Sequence, residues 1–147
     1  MSGVAEMILI AVVAGERVAM LASDIESVVE LGALVPVPRA SPHVAGLAAL
    51  RSRVLTVIDC YAALGIARCG EHVSKHSIII EVDGHVYALL VDSVEDVVPI
   101  DAEVRPVRGR LTAGWRAVAR GAIEVDDALL LMVEPAALLT PHVPQAA

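Results

Sequence analysis

Two stretches decide the fold: Ile8 to Leu31, ILIAVVAGERVAMLASDIESVVEL, and Ser77 to Ile100, SIIIEVDGHVYALLVDSVEDVVPI. Each reads as an apolar strand, a tight turn at Ala14-Gly15 or Asp83-Gly84, a second strand, then an acidic elbow into Val-rich chain. Alternating apolar residues on either side of a glycine-containing turn are the signal of a β-hairpin. Moved by 69 positions the stretches superimpose, with Ile10 on Ile79, Val13 on Val82, Gly15 on Gly84, Ala19 on Ala88, Leu21 on Leu90, Glu26 on Glu95, and Val28-Val29 on Val97-Val98. The chain carries an internal repeat.

Outward from these stretches lies a second matched pair, Val44 to Gly65 and Val118 to Leu139. Gly46 meets Gly121, Leu55 meets Leu130, Ile58 meets Val133, Asp59 meets Glu134 and Leu64 meets Leu139, again as a hairpin followed by a short helix. An acidic residue at each helix start suits the positive end of the helix dipole and can cap free amides. An insertion around Arg105 to Trp115 accounts for the different offset of this pair. So many short strands in one sheet would leave exposed edges, and closure of each repeat into a small barrel removes them. The expected architecture is all-β with short helices: two five-stranded barrels side by side, residues 1–72 and 73–147. The boundary near His72 to Lys75 is approximate, since strands or helices can be exchanged between the halves. One larger sandwich is the alternative.

Composition agrees. The 147 residues are 56% hydrophobic, rich in Val, Leu, Ile and Ala, with no Phe and only Trp115, Tyr61 and Tyr87 as aromatic side chains. Such β-branched, aliphatic content favours strands and a substantial core. No apolar run approaches the ~20 residues that span a bilayer. The first residues lack the basic start of a secretory signal, so a cytoplasmic location is expected. A net charge of −7 with only scattered arginines argues against nucleic acid and for protein partners. Cys60 and Cys69 have neither CxxC spacing nor a neighbouring histidine pair, and read as reduced apolar side chains.

Catalytic patterns are missing: no HExxH, no GxSxG, no glycine-rich phosphate loop and no calcium loop. His43, His72, His76, His85 and His142 fall in expected loops, turns or the tail, which predicts solvated side chains rather than metal ligands. Asp59 and Asp92 end apolar strands and read as caps or turn formers. The expectation is a binding protein, not an enzyme, with no cofactor and no metal.

At Val44 to Gly65, VAGLAALRSRVLTVIDCYAALG resembles the signature of the CheW-like family: a glycine, four residues, Arg-Gly, a short apolar strand, Pro-Val-Ile-Asp and a helix. Gly46, Arg51, Val57, Ile58, Asp59, Leu64 and Gly65 match it. Val28-Val29-Glu30-Leu31 resembles the family's Val-x-Glu-Ile element, Val37-Pro38 its hydrophobic-Pro step, and Ala88 to Asp92 with Val94 and Val97 its Gly-x-x-Val-Asp-x-Val stretch. The resemblance runs from about Met7 to Leu139.

The resemblance implies two SH3-like barrels, no cofactor, and a chemotaxis adaptor that binds the regulatory domain of a CheA-like histidine kinase and the cytoplasmic tip of chemoreceptors. It implies a receptor groove between the barrels, with Val28, Leu31 and Val94 as its floor. Gly46, Ala88 and Gly121 would keep it open, and Glu30 beside Arg51 would form a polar pair at its edge. A helical hairpin laid in such a groove is held by a few anchors one turn apart. The kinase-binding residues cannot be separated from core by pattern. Ser52, Thr56 and Ala88 depart from the family's residues; Ser52 implies an altered hairpin turn, and the three suit a divergent scaffold for pilus or surface motility. A small-ligand-sensing barrel module is the reading from another class.

Overall fold

The computed structural model describes residues 6–67, 76–100, 102–107 and 109–140. The strands are β1 (Met7–Val13), β2 (Glu16–Leu21), β3 (Ser27–Glu30), β4 (Val44–Leu50), β5 (Arg53–Asp59), β6 (His76–Val82), β7 (His85–Leu90), β8 (Ser93–Pro99), β9 (Ala119–Val125) and β10 (Ala128–Val133). Short helices α1 (Cys60–Leu64) and α2 (Ala113–Val118) and two 3-10 turns, Ala22–Asp24 and Pro135–Leu139, complete the described residues.

The strands form two five-stranded sheets, ordered β8-β1-β2-β10-β9 and β3-β6-β7-β5-β4. The second draws on one stretch of chain, from β3 to β7, and is called here the continuous sheet. The first joins β1 and β2 to β8, β9 and β10, and is called the split sheet. The expected boundary near His72 to Lys75 lies outside the described residues. On either side of it strands cross over, because β6 and β7 pair with β3 and β5 while β8 and β10 pair with β1 and β2.

The repeat seen in sequence is a repeat of register. Ile8↔Leu21 through Val13↔Glu16 in the β1–β2 hairpin becomes Ser77↔Leu90 through Val82↔His85 in β6–β7. A bulge skips one residue before Gly46 in β4 and at the equivalent place before Gly121 in β9. Both first hairpins turn on two residues with positive φ, Ala14 and Gly15 at 49° and 84°, Asp83 and Gly84 at 52° and 80°, which matches the right-handed strand twist. At the β4–β5 turn Arg51 has φ 59° while Ser52 does not lie in the left-handed region, so this turn is of another type.

Each sheet is curled by a strap rather than by pairing of its outer strands. After β3 the chain passes over β4, where Val35 and Leu47 exchange two backbone bonds of 2.8 Å. After β8 it passes over β9, where Arg105 and Ala122 exchange bonds of 2.8 and 2.7 Å.

Three apolar clusters result. Ile8, Ile10, Ala19, Ile123, Leu130 and Met132 fill the split sheet, and Leu31, Ala48, Leu55, Val57, Ile79 and Ala88 the continuous one. Between the sheets lies the largest, with Leu9, Val18 and Met20 facing Ile58, Ile78 and Leu89. Alternation explains the layering: Ile78 and Ile80 face the seam while Ile79 faces the sheet's own interior. Cys60 and Leu64 of α1, Trp115 and Val118 of α2, and Leu138 close the seam.

Candidate functional site

The eight residues assigned to a receptor groove do not share one surface. Leu31 and Ala88 are buried in the continuous sheet's own core. Gly46 and Gly121 are buried too, for a reason other than an open groove. A Cβ on Gly46 would meet the Val35 carbonyl oxygen at 2.6 Å, and one on Gly121 would meet Val104 Cγ1 at 2.5 Å and the Arg105 oxygen at 2.6 Å. With φ of 153° and 152°, both positions serve the straps. The seam expected as a docking floor is filled by the chain's own side chains, because alternating strands from both sheets turn one apolar face towards it. Val28, Glu30 and Arg51 remain exposed, and Val94 is half-buried against the seam.

Glu30 ends β3, an outer strand of its sheet, and Arg51 sits in the β4–β5 turn. The ion pair at that edge is Arg53 with Glu26, whose carboxylate accepts from Nη1 at 3.2 Å and Nη2 at 2.6 Å. This bidentate bond holds the Glu26 carboxyl below the usual carboxylate range, helped by the Arg53 charge. Glu30 is four residues further along extended chain, about 13 Å away. In the split sheet the equivalent acid, Glu95, takes a different partner, Arg17 Nε at 2.8 Å.

The two strand-end aspartates have structural partners. Asp59 caps α1, its Oδ1 accepting from the Tyr61 amide at 3.0 Å. Asp92 accepts from the Gly15 amide at 2.7 Å and from the Tyr61 hydroxyl at 3.1 Å, and so joins the β1–β2 turn to α1 at the rim of the seam. Glu134, expected as a second helix cap, makes no cap bond and pairs with Arg120. Among the histidines, His43 is buried rather than solvated, with Nε2 3.0 Å from the Leu139 carbonyl oxygen, while His76 and His85 open β6 and β7. Cys60 is buried in the seam; Cys69, His72 and His142 lie outside the described residues. Among the described residues no three potential ligands stand close enough to hold a metal ion, and no helix is long and apolar enough to cross a membrane.

What stays outward is apolar and repeated. Val28 on β3 and Val97 on β8 are equivalent and exposed, as are Val54 on β5 and Leu129 on β10 at 68% and 66%. The sequence contained this signal: the repeat offsets relate Val28 to Val97 and Val54 to Leu129, positions where a solvated strand face normally carries polar residues. The same repeat positions of this two-sheet module are thus apolar and exposed in both halves.

The comparisons with known proteins place that module. The family model of the CheW-like domain matches residues 7–142, and the chain belongs to this family. It is 33% identical over 101 residues to "Chemotaxis protein CheW" of Rhizobium meliloti (strain 1021), a match covering 67% of this chain and 64% of that protein. It is 30% identical over 129 residues to "Probable chemotaxis protein CheW" of Rhizobium etli, covering 84% and 83%. Among solved structures, that of the scaffolding protein TtCheW from Thermoanaerobacter tengcongensis superposes with a TM-score of 0.73 at 27% identity, covering 88% of this chain and 89% of that one. Family and fold make the chain a scaffold rather than an enzyme.

Proposed function

We propose that this chain is a cytoplasmic chemotaxis-type adaptor that couples a CheA-like histidine kinase to chemoreceptors. The observation that supports this reading most directly is the pairing of exposed apolar residues, Val28 with Val97 and Val54 with Leu129, on a scaffold that belongs to the CheW-like family. A coupler needs two docking faces held in fixed relation, and the filled seam supplies the rigidity. Its output is geometry: a kinase domain on one face and a receptor tip on another are brought to a set distance and angle.

Val28, Glu30, Arg51 and Val94 are the residues proposed to meet the receptor; Leu31, Gly46, Ala88 and Gly121 support that face from inside. The small-ligand reading finds less support. A cavity of about 680 Å³ is lined by Pro106, Val107, Leu111, Leu129 and their neighbours, and among the described residues Arg105 is its one charged side chain, with no converging polar set.

The test is co-purification of the chain with a kinase regulatory domain and, separately, with a receptor cytoplasmic fragment. Both are expected to bind, and Arg51→Ala is expected to abolish receptor capture while leaving kinase capture unchanged. Failure of both partners to bind would refute the coupling role. An unaffected Arg51→Ala variant would remove Arg51 from the receptor face alone.

A further inference from the structure

The two straps cover their sheets to different degrees, with Leu31 buried and its counterpart Ile100 half-buried. In the continuous sheet the strap after β3 lays Leu31 and Leu34 onto the core. In the split sheet the strap after β8 carries Ile100, Ala102 and Val104, which line a cavity of about 460 Å³ together with Leu21 and Met132. A second hollow of about 240 Å³ shares Asp24 and Glu134 with the first and reaches Ile80 to Val82 on β6. Through these shared residues the two hollows adjoin, the first lined by the split sheet and its strap and the second reaching the continuous sheet at β6, and together they are taken as one groove.

Its rim is acidic. Among the described residues Glu6, Asp24, Glu81 and Glu134 border the groove against one guanidinium, Arg120, already paired with Glu134. Arg53 also lies within range of Glu81, and Glu26 holds it. The rim carries the same sign as the chain as a whole, at −7. An apolar hole continued by a band of carboxylates is complementary to a segment in which a large apolar residue precedes a run of Lys or Arg.

We infer that this groove is a docking site for a basic protein segment that inserts one large apolar side chain between Leu21, Ile100 and Met132 and lays its cations along Asp24, Glu134 and Glu81. The site goes beyond the coupling role, since Val28, Glu30, Arg51 and Val94 do not line it.

The probe is the peptide acetyl-Ala-Leu-Phe-Ala-Lys-Lys-Ala-Lys-amide, titrated into the isotope-labelled full chain at about 50 mM salt and followed by amide shifts. Shifts are expected at Leu21, Asp24, Ala102 and Met132. They are lost with a Glu-for-Lys peptide and with a Ser-for-Phe peptide. Asp24→Lys weakens binding about fivefold, and Ala102→Trp, which fills the hole, about tenfold, both with unchanged spectral dispersion. The inference is overturned by equal shifts with the acidic peptide, by shifts confined to other residues, or by no shifts at millimolar peptide. Shifts at these residues on concentrating the chain alone would make the groove a self-association face and overturn it equally.

Discussion

The continuous and split sheets agree in hairpin register, in the bulge before Gly46 or Gly121 and in strap, yet they differ at three places in what the side chains do. Leu31 is buried in the continuous sheet while its counterpart Ile100 is half-buried beside a cavity. Glu26 is held by Arg53 from β5, whereas its counterpart Glu95 is held by Arg17 from β2. Asp92 ties the β1–β2 turn to α1, while Ser23, at the matching position of the other copy, lines the acidic groove. Duplication fixed the frame, and divergence at few positions gave each sheet its own strap cover and its own charge pattern.

The strongest way to break the comparison is at the feature both sheets share. Gly46→Ala and Gly121→Ala each force a Cβ to within 2.6 Å of a strap oxygen at positive φ, and are expected to cost about 3 kcal/mol apiece. Denaturant unfolding checks this. A loss at one glycine only would mean that just one strap holds its sheet.

Next comes the strap cover. Leu31→Ala leaves a void in a closed core and is expected to cost about 2–4 kcal/mol, against about 1 kcal/mol for Ile100→Ala, whose side chain already borders open space. Equal losses would deny that the split sheet's strap covers its core less fully. A smaller contrast is expected at the rim of the seam. Asp92→Ala removes the acceptor of the Gly15 amide and the Tyr61 hydroxyl for about 1–2 kcal/mol, and Ser23→Ala changes stability by less than about 0.5 kcal/mol.

The smallest effect is electrostatic. Because Arg53 lowers the Glu26 carboxyl, the pair's contribution is present above the ordinary carboxylate range and is lost as pH falls through the lowered value. Arg53→Ala is expected to return Glu26 towards its ordinary titration in a carboxyl-carbon NMR experiment. Both side chains are solvent-exposed, so little change in overall stability accompanies it.

Much of the frame was legible in the chain. The offset between Ile8 to Leu31 and Ser77 to Ile100 located four strands and both tight turns, because period-2 alternation around X-Gly is a local property. Which copy a strand joins was not legible: β3 and β8 share a pattern and either core would accept either strand, so only the three-dimensional arrangement assigns them. Gly46 and Gly121 were expected to keep a groove open, whereas the space at each is taken by a strap about ten residues or more away in sequence. Helix α2 escaped notice because AGWRAV is shorter than two turns, too short for helical periodicity to register. The receptor-face residues split into an exposed and a buried set, since a Val-rich strand looks alike from either face until its neighbours are known.

The most direct measurement asks whether one molecule of this chain holds both partners at once. A kinase regulatory domain and a receptor fragment mixed with the chain in analytical ultracentrifugation should sediment as a single three-component species, each partner's affinity unchanged by the other. Displacement of one partner by the other would contradict coupling, because a scaffold whose two faces cannot be occupied together connects nothing.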